Sequence, residues 1–222
     1  MRTLHHWTLD PLCRQVRLAL GEKKLDFKLA DETPWNPRPE FLAVDPGGLG
    51  PVLTRDEATP VIGSRAILEY LEEVHPDPAL YPADLEARAE SRRLIEWFDR
   101  KFATECGAVI LQEKIVKRAA GLGSPDMEAL RGARERVRWH MDYMAWLLEQ
   151  RDWLSGPKMS LADLCVAAHL SVTDFLGEAP WDDFEGVKDW YVKLKSRPCF
   201  RPLLTDRVPG LTAPPHYADL DF

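Results

Sequence analysis

A thiol at the start of a helix is the first chemistry the sequence offers. In "HHWTLDPLCRQVRLALGEKK" the Asp10–Pro11 turn places Cys13 in the first turn of an amphipathic helix. Free N–H groups and the dipole at that end favour a thiolate, and so a nucleophile. Asp10 opposes this, because a carboxylate one turn away raises a thiol's pKa. Asp before Pro is also a turn former or a helix N-cap. A free cysteine packs equally well as a small hydrophobe, so Cys13 stands open between catalyst and core filler. Cys106, Cys165 and Cys199 are widely spaced and form no CxxC pair. The six histidines show no metal-ligand spacing. His5 and His6 fall on opposite faces of a strand, and His140 and His169 fall in helix stripes, so a core role is expected for both helical histidines. No metal site and no Ser–His–Asp arrangement is expected.

The elements that must hold these residues come in two kinds. Up to about Pro82, short strand-like and helical pieces alternate. "TLHHW" reads as a strand, Pro11–Gly21 as a helix, "DFKLA" as a second strand and "RPEFLAV" as one short helical turn. "GPVLTR" and "TPVIG" follow as two strands around the turn "DEA", and Ser64 starts a helix carrying Ile67, Leu68 and Leu71. That βαβ–ββα order predicts a small sheet with helices packed on it. "HPDPALYPAD" has three prolines in seven residues and reads as a linker. Everything beyond it has helical period. One long helix runs to about Ala120, and a second, with Ser124 as N-cap and Pro125 at its first position, packs back on it as a hairpin. In "MSLADL" the pair Ser160 and Asp163 forms a capping box, a folding signal rather than a chemical one. A last helix spans about Val187–Ser196.

The totals exclude several classes. The chain has 222 residues and a formal charge of −7. Residues 1–82 carry 9 basic against 13 acidic side chains, and the rest carry 20 against 23. An acidic chain without a basic half is a poor nucleic-acid binder. No run reaches the ~18 apolar residues of a membrane span, and "MRTLHHWTL" lacks the apolar core of a signal peptide. A cytoplasmic protein with reduced thiols is expected.

Three separated motifs carry a family resemblance. "DPGGLGPVL" resembles the "NPxGxVPvL" segment of glutathione transferases, "GSRAILEYLEE" their "ESxAIxxYL" segment, and "SLADL" the capping box of their core helix. The resemblance runs from about Thr3 to Arg201. It implies an α/β thioredoxin-like domain at residues 1–76, a linker at 77–83, an all-α domain at 84–204 and a tail at 205–222. By resemblance Pro51 is cis, Gly50 is the backbone clamp, Ser64 the γ-glutamyl holder with Arg65 beside it, and Asp10 and Cys13 stand where thiol activation occurs. Gly50 replaces the usual Val and Gly63 the usual acidic residue, so the glutathione pocket reads as degraded. The whole-chain texture, in "DETPWNPRPEF", "RWHMDYMAWL" and "VPGLTAPPHYADLDF", resembles a branch of the superfamily that binds filaments of the division GTPase FtsZ without detoxifying chemistry. It implies a non-catalytic homodimer with no cofactor, located at the division site. The competing implication is an enzyme, a transferase using glutathione on small electrophiles.

A protein partner needs a surface. Trp35 and Arg38 lie in a proline-stiffened loop beside the expected cleft, and both residue types dominate interface hot spots. Trp35 packed beneath its own loop is the other reading. In the tail, His216, Tyr217, Asp219, Leu220, Asp221 and Phe222 are too rich in anchors for a disordered end; docking on the chain's own body and contact with a partner both stand open. Arg131, Arg134 and Arg138 lie on one helix face, near Glu128 and Glu135, and read as a solvated stripe.

Overall fold

The structure is a computed structural model that describes residues 1–220; Asp221 and Phe222 lie outside the described residues. Strand β1 (Arg2–His6) alternates side chains between faces. Leu4 and His6 are buried, and Leu4 pairs with Leu29 on one side and Leu53 on the other. The sheet order is β2-β1-β3-β4, with β2 (Lys28–Asp31) parallel to β1, and β3 (Val52–Arg55) and β4 (Ala58–Ile62) continuing antiparallel. Helix α1 (Pro11–Glu22), the short α2 (Pro39–Val44) and α3 (Ser64–Val74) complete this half.

The helical half begins with one continuous run, α4, over 85–119, in which Trp97–Gly107 and Gln112–Val116 take wider π-helical turns. Helix α5 (Met127–Leu148) returns along it. Arg93 meets Tyr143, Trp97 meets His140 and Glu113 accepts the Asp126 amide, so the two helices are antiparallel. The start of α5 differs from the expectation. Asp126, not Ser124, is the N-cap, accepting the Glu128 and Ala129 amides at 2.9 and 3.1 Å. An ionised carboxylate caps a positive helix end better than a hydroxyl does.

Helix α6 (Leu161–Phe175) is buried along its whole length. The capping box is formed: the Ala162 amide donates to Ser160 Oγ at 3.2 Å, and the Ser160 amide donates to Asp163 at 2.8 Å. Asp163 also accepts from Leu154 N and Trp190 Nε1, so the box ties three segments together. Helices α7 (Glu185–Lys195) and α8 (Arg201–Leu204) close the core. The arginine stripe on α5 reaches beyond its own helix. Arg131 lies by Glu128, but Arg134 and Arg138 pair with Glu178 and Asp183 in the segment after α6.

Residues after α8 dock on the body. Tyr217 is buried; its hydroxyl donates to Leu203 O at 2.9 Å and accepts from Arg14 at 3.1 Å. His216 Nε2 lies 3.0 Å from buried Asp174, and Lys195 donates to His216 O at 2.8 Å. His216 and Tyr217, both named as partner contacts, thus turn their polar groups inward, where they join the bonds that Asp174 and Arg14 already make to Trp181, Tyr191, Thr8 and Ser171. Asp219 is exposed and Leu220 half-buried.

Candidate functional site

The end of α1 decides the fate of the thiol. Asp10 is the N-cap, accepting the Leu12 and Cys13 amides at 3.2 Å each. Those are the donors that would otherwise stabilise an anion at this helix end. Cys13 is 0% exposed. Burial, then the Asp10 carboxylate beside it, pushes its thiol well above the usual range. Burial likewise raises the Asp10 carboxyl. The arrangement therefore holds a protonated, inaccessible thiol and does not favour thiolate chemistry.

The clamp is reached through "DPGG". Gly50 precedes a cis peptide bond to Pro51, as the resemblance implied. Its φ is +65°, where a β-branched residue is strained. This turns its amide onto Asp45 Oδ2 at 3.1 Å, while Gly47 N donates to Asp45 Oδ1 at 3.0 Å. The donor a bound peptide would use is already taken, and stripping it costs about 1–3 kcal/mol.

Ser64, the residue that the resemblance makes the γ-glutamyl holder, also has an internal partner. Gly63, at φ +89°, is the N-cap residue of α3, and Ser64 is its first helical residue rather than the cap. Ser64 is 5% exposed and donates to Gln15 Oε1 at 2.7 Å. Gln15 in turn donates to Asp99 at 2.5 Å, and Asp99 lies 2.9 Å from His169 Nε2. Ser64, Gln15, Asp99 and His169 form one chain of hydrogen bonds from α3 to α6. Arg65 is exposed next to it. Ser64 and Gln15 tie α3 to α1 in this region, Asp45 holds the Gly50 amide, and Asp10 faces the Cys13 thiol at the start of its own helix.

Beside this region lies a narrow crevice of about 160 Å³, lined by Asp10, Leu12, Phe102, Ile110 and His169 among others. A wider cleft of about 660 Å³ opens between the sheet end, α4 and the segment after α8, with Trp7, Trp35, Ile115, Arg118, Arg207 and Leu211 in its lining. Trp35 is half-buried, edge-on to Trp7 with ring centres 5.3 Å apart. It is part of the cleft wall rather than sealed beneath its loop. Arg38 binds the buried Glu32 through two bonds, of 2.6 and 3.2 Å, and His5 Nδ1 lies 3.0 Å from the same carboxylate. Burial would raise Glu32, but Arg38 and His5 hold it below the usual carboxylate range. Arg38 therefore braces the Trp35 loop as well as being exposed.

Sequence reasoning missed Asp45, Gln15, Asp99, Trp7, Arg118 and Arg207. Asp45 was recoverable, since Asp two residues before a glycine amide is an Asx-turn pattern. The others come together only through packing of the two halves. Among the described residues no group of His, Cys, Asp and Glu side chains is placed to hold a metal, and no helix is long and apolar enough to cross a membrane.

Comparison with known proteins gives two matching family models: the N-terminal domain of glutathione S-transferase over residues 4–79 and its C-terminal domain over residues 121–198. FtsZ-localized protein A of Caulobacter vibrioides is 54% identical over 224 aligned residues, covering 100% of this chain and 98% of that protein. The solved structure of FzlA from C. crescentus superposes with a TM-score of 0.97 at 53% identity, covering 100% and 99% of the two chains. A glutathione S-transferase structure from Rhodospirillum rubrum F11 gives 0.97 at 44% identity, covering 100% of both. With both domains matched and a full-length relative above half identity, the chain belongs to the glutathione S-transferase family.

Proposed function

We propose that this protein is a non-catalytic division protein that binds FtsZ filaments as a homodimer, acts at the division site and alters filament curvature or bundling. One observation carries the reading. The three anchors of a glutathione site are consumed internally, by Asp10 on the α1 amides, Asp45 on the Gly50 amide and Gln15 on Ser64, while the cleft beside Trp35 stays open. The similarity to a protein named for its localisation with FtsZ supports the partner. Trp35 and the exposed face of Arg38 form the contact surface.

Dimerisation is supported by a second face. Trp97 stacks on Trp139 and lies tilted against Tyr143, which stacks on Trp146, along α4 and α5. Trp139 and Trp146 are 42% and 52% exposed. Arg93, Arg100 and Lys101 lie beside Glu96 and Glu105 around them, so the face is complementary to a copy of itself under a two-fold axis. A dimer presents two equal clefts and bridges filament subunits by raising the effective concentration of the second contact.

The test is co-sedimentation with FtsZ polymerised by GTP, with GDP as control. Pelleting that requires polymer and is lost in Trp35→Ala supports the reading. No pelleting at micromolar protein overturns it. The enzyme reading is favoured by the R. rubrum relative, which is named a glutathione S-transferase. Calorimetric glutathione binding that is abolished by Ser64→Ala would support it instead.

A further inference from the structure

The cleft beside Trp35 has a more specific chemistry than a generic contact surface. Its inner wall is apolar: Ile115 is buried on α4, and Val208 and Leu211 are half-buried after α8. Trp7 and Trp35 form the apolar part of the wall opposite, where Glu32 is already held by Arg38 and Asp31 is an exposed carboxylate. At its rim Arg118 and Arg207 are exposed, and neither has an ion-pair partner among the described residues. Lys114 is different, being held by Glu178 at 2.7 Å and the Leu176 carbonyl at 2.5 Å. A protein of net charge −7 therefore exposes two uncommitted guanidiniums on the edge of an apolar cleft. Charge of that sign in that place attracts carboxylates, and the guanidinium fork suits them. A concave site between two halves of a fold admits an extended chain more readily than a folded face, and about 660 Å³ is ample for side chains of such a segment.

We propose that the cleft takes an extended acidic–apolar segment of the filament partner, its apolar side chain seated between Trp35 and Leu211 and its carboxylates on Arg118 and Arg207. This rests on the filament-binding reading above. Affinity comes from burying the apolar anchor, whereas the two arginines set register, on-rate and salt dependence.

The experiment uses the full chain and fluorescein-labelled synthetic nonapeptides that alternate Asp or Glu with Leu or Phe, read by anisotropy. A second peptide replaces the acids by Asn and Gln, and a third replaces Leu and Phe by Ala. Micromolar binding of the first, with the other two at least about tenfold weaker, is expected. Arg118→Glu with Arg207→Glu, both exposed positions, loses at least about tenfold and flattens the salt dependence. The unlabelled first peptide also displaces the protein from FtsZ polymer. Equal binding of the amide peptide, peptide binding that leaves the protein on the polymer, or displacement of the peptide by GTP would each overturn the proposal. Failure of the peptide with pelleting intact sinks the segment chemistry and spares the filament reading. Peptide binding without pelleting sinks the filament reading and leaves the cleft chemistry supported.

Discussion

Asp206, at the root of the segment that docks after α8, provides the sharpest energetic test. Its carboxylate accepts from Arg17 Nη1 and Nη2 at 2.8 Å each and from Arg14 Nη2 at 3.2 Å. Arg14 and Arg17 are 0% and 3% exposed, so both charges depend on this acceptor. Breaking a buried ion pair from one side costs about 3–5 kcal/mol, because the remaining charge is stranded. Arg14 keeps the Thr8 carbonyl and the Ser171 and Tyr217 hydroxyls; the loss therefore falls mainly on Arg17. Asp206→Ala should lower stability by about 3 kcal/mol, and at ~2–4 °C per kcal/mol for a chain of this size Tm should fall by about 6–12 °C. Urea unfolding with an unchanged m-value measures it. Asp183→Ala, which removes the half-exposed partner of Arg138, is the control and should cost less than about 1 kcal/mol. Replacing both members, Arg17→Met with Asp206→Leu, should restore most of the loss. If Asp206→Ala costs no more than the control, the guanidiniums find water or other acceptors, and the docked segment is not a brace.

Further tests follow from the buried groups. None of the four thiols should react with Ellman's reagent in the native protein, since all are buried and burial pushes Cys106 and Cys199 to about 12; rapid labelling of Cys13 would revive it as a nucleophile. His140 is lowered from 6.5 to about 4, chiefly by burial, against the raising effect of Glu105. The native state therefore binds fewer protons than the unfolded chain between those values, and stability falls as pH falls through that window. Its contribution is roughly 2 kcal/mol lost between pH 7 and 5, and His140→Gln should flatten the measured slope by that amount. Gln15→Ala breaks the bonds to Ser64 and Asp99 and should cost about 1–3 kcal/mol. It should not create glutathione binding detectable by calorimetry, because Asp45 still holds the Gly50 amide. Trp146→Arg should shift the protein to monomer in sedimentation velocity if the aromatic face is the dimer contact.

Local chemistry made much of this protein legible. Alternation marked the strands, and Pro11, Pro39 and the glycine-rich turns marked boundaries, because these residues act on their own backbone. The Ser160–Asp163 box was readable for the same reason, its partners being three residues apart. At the start of α5 the local argument chose Ser124, whereas Asp126, two residues on, caps the helix. What lay beyond local reading was who satisfies whom across the chain. That Gln15 would occupy the Ser64 hydroxyl, that Asp206 would neutralise Arg14 and Arg17, and that Tyr217 would turn inward depend on packing between segments 49 to 203 positions apart. The sequence by itself determined the elements, the altered family motifs and the acidic balance. Only the tertiary structure decided that the residues matching the family's anchor motifs are hydrogen-bonded from within and that Trp35, Arg118 and Arg207 share an open cleft, because burial and hydrogen-bond competition are properties of assembled surfaces.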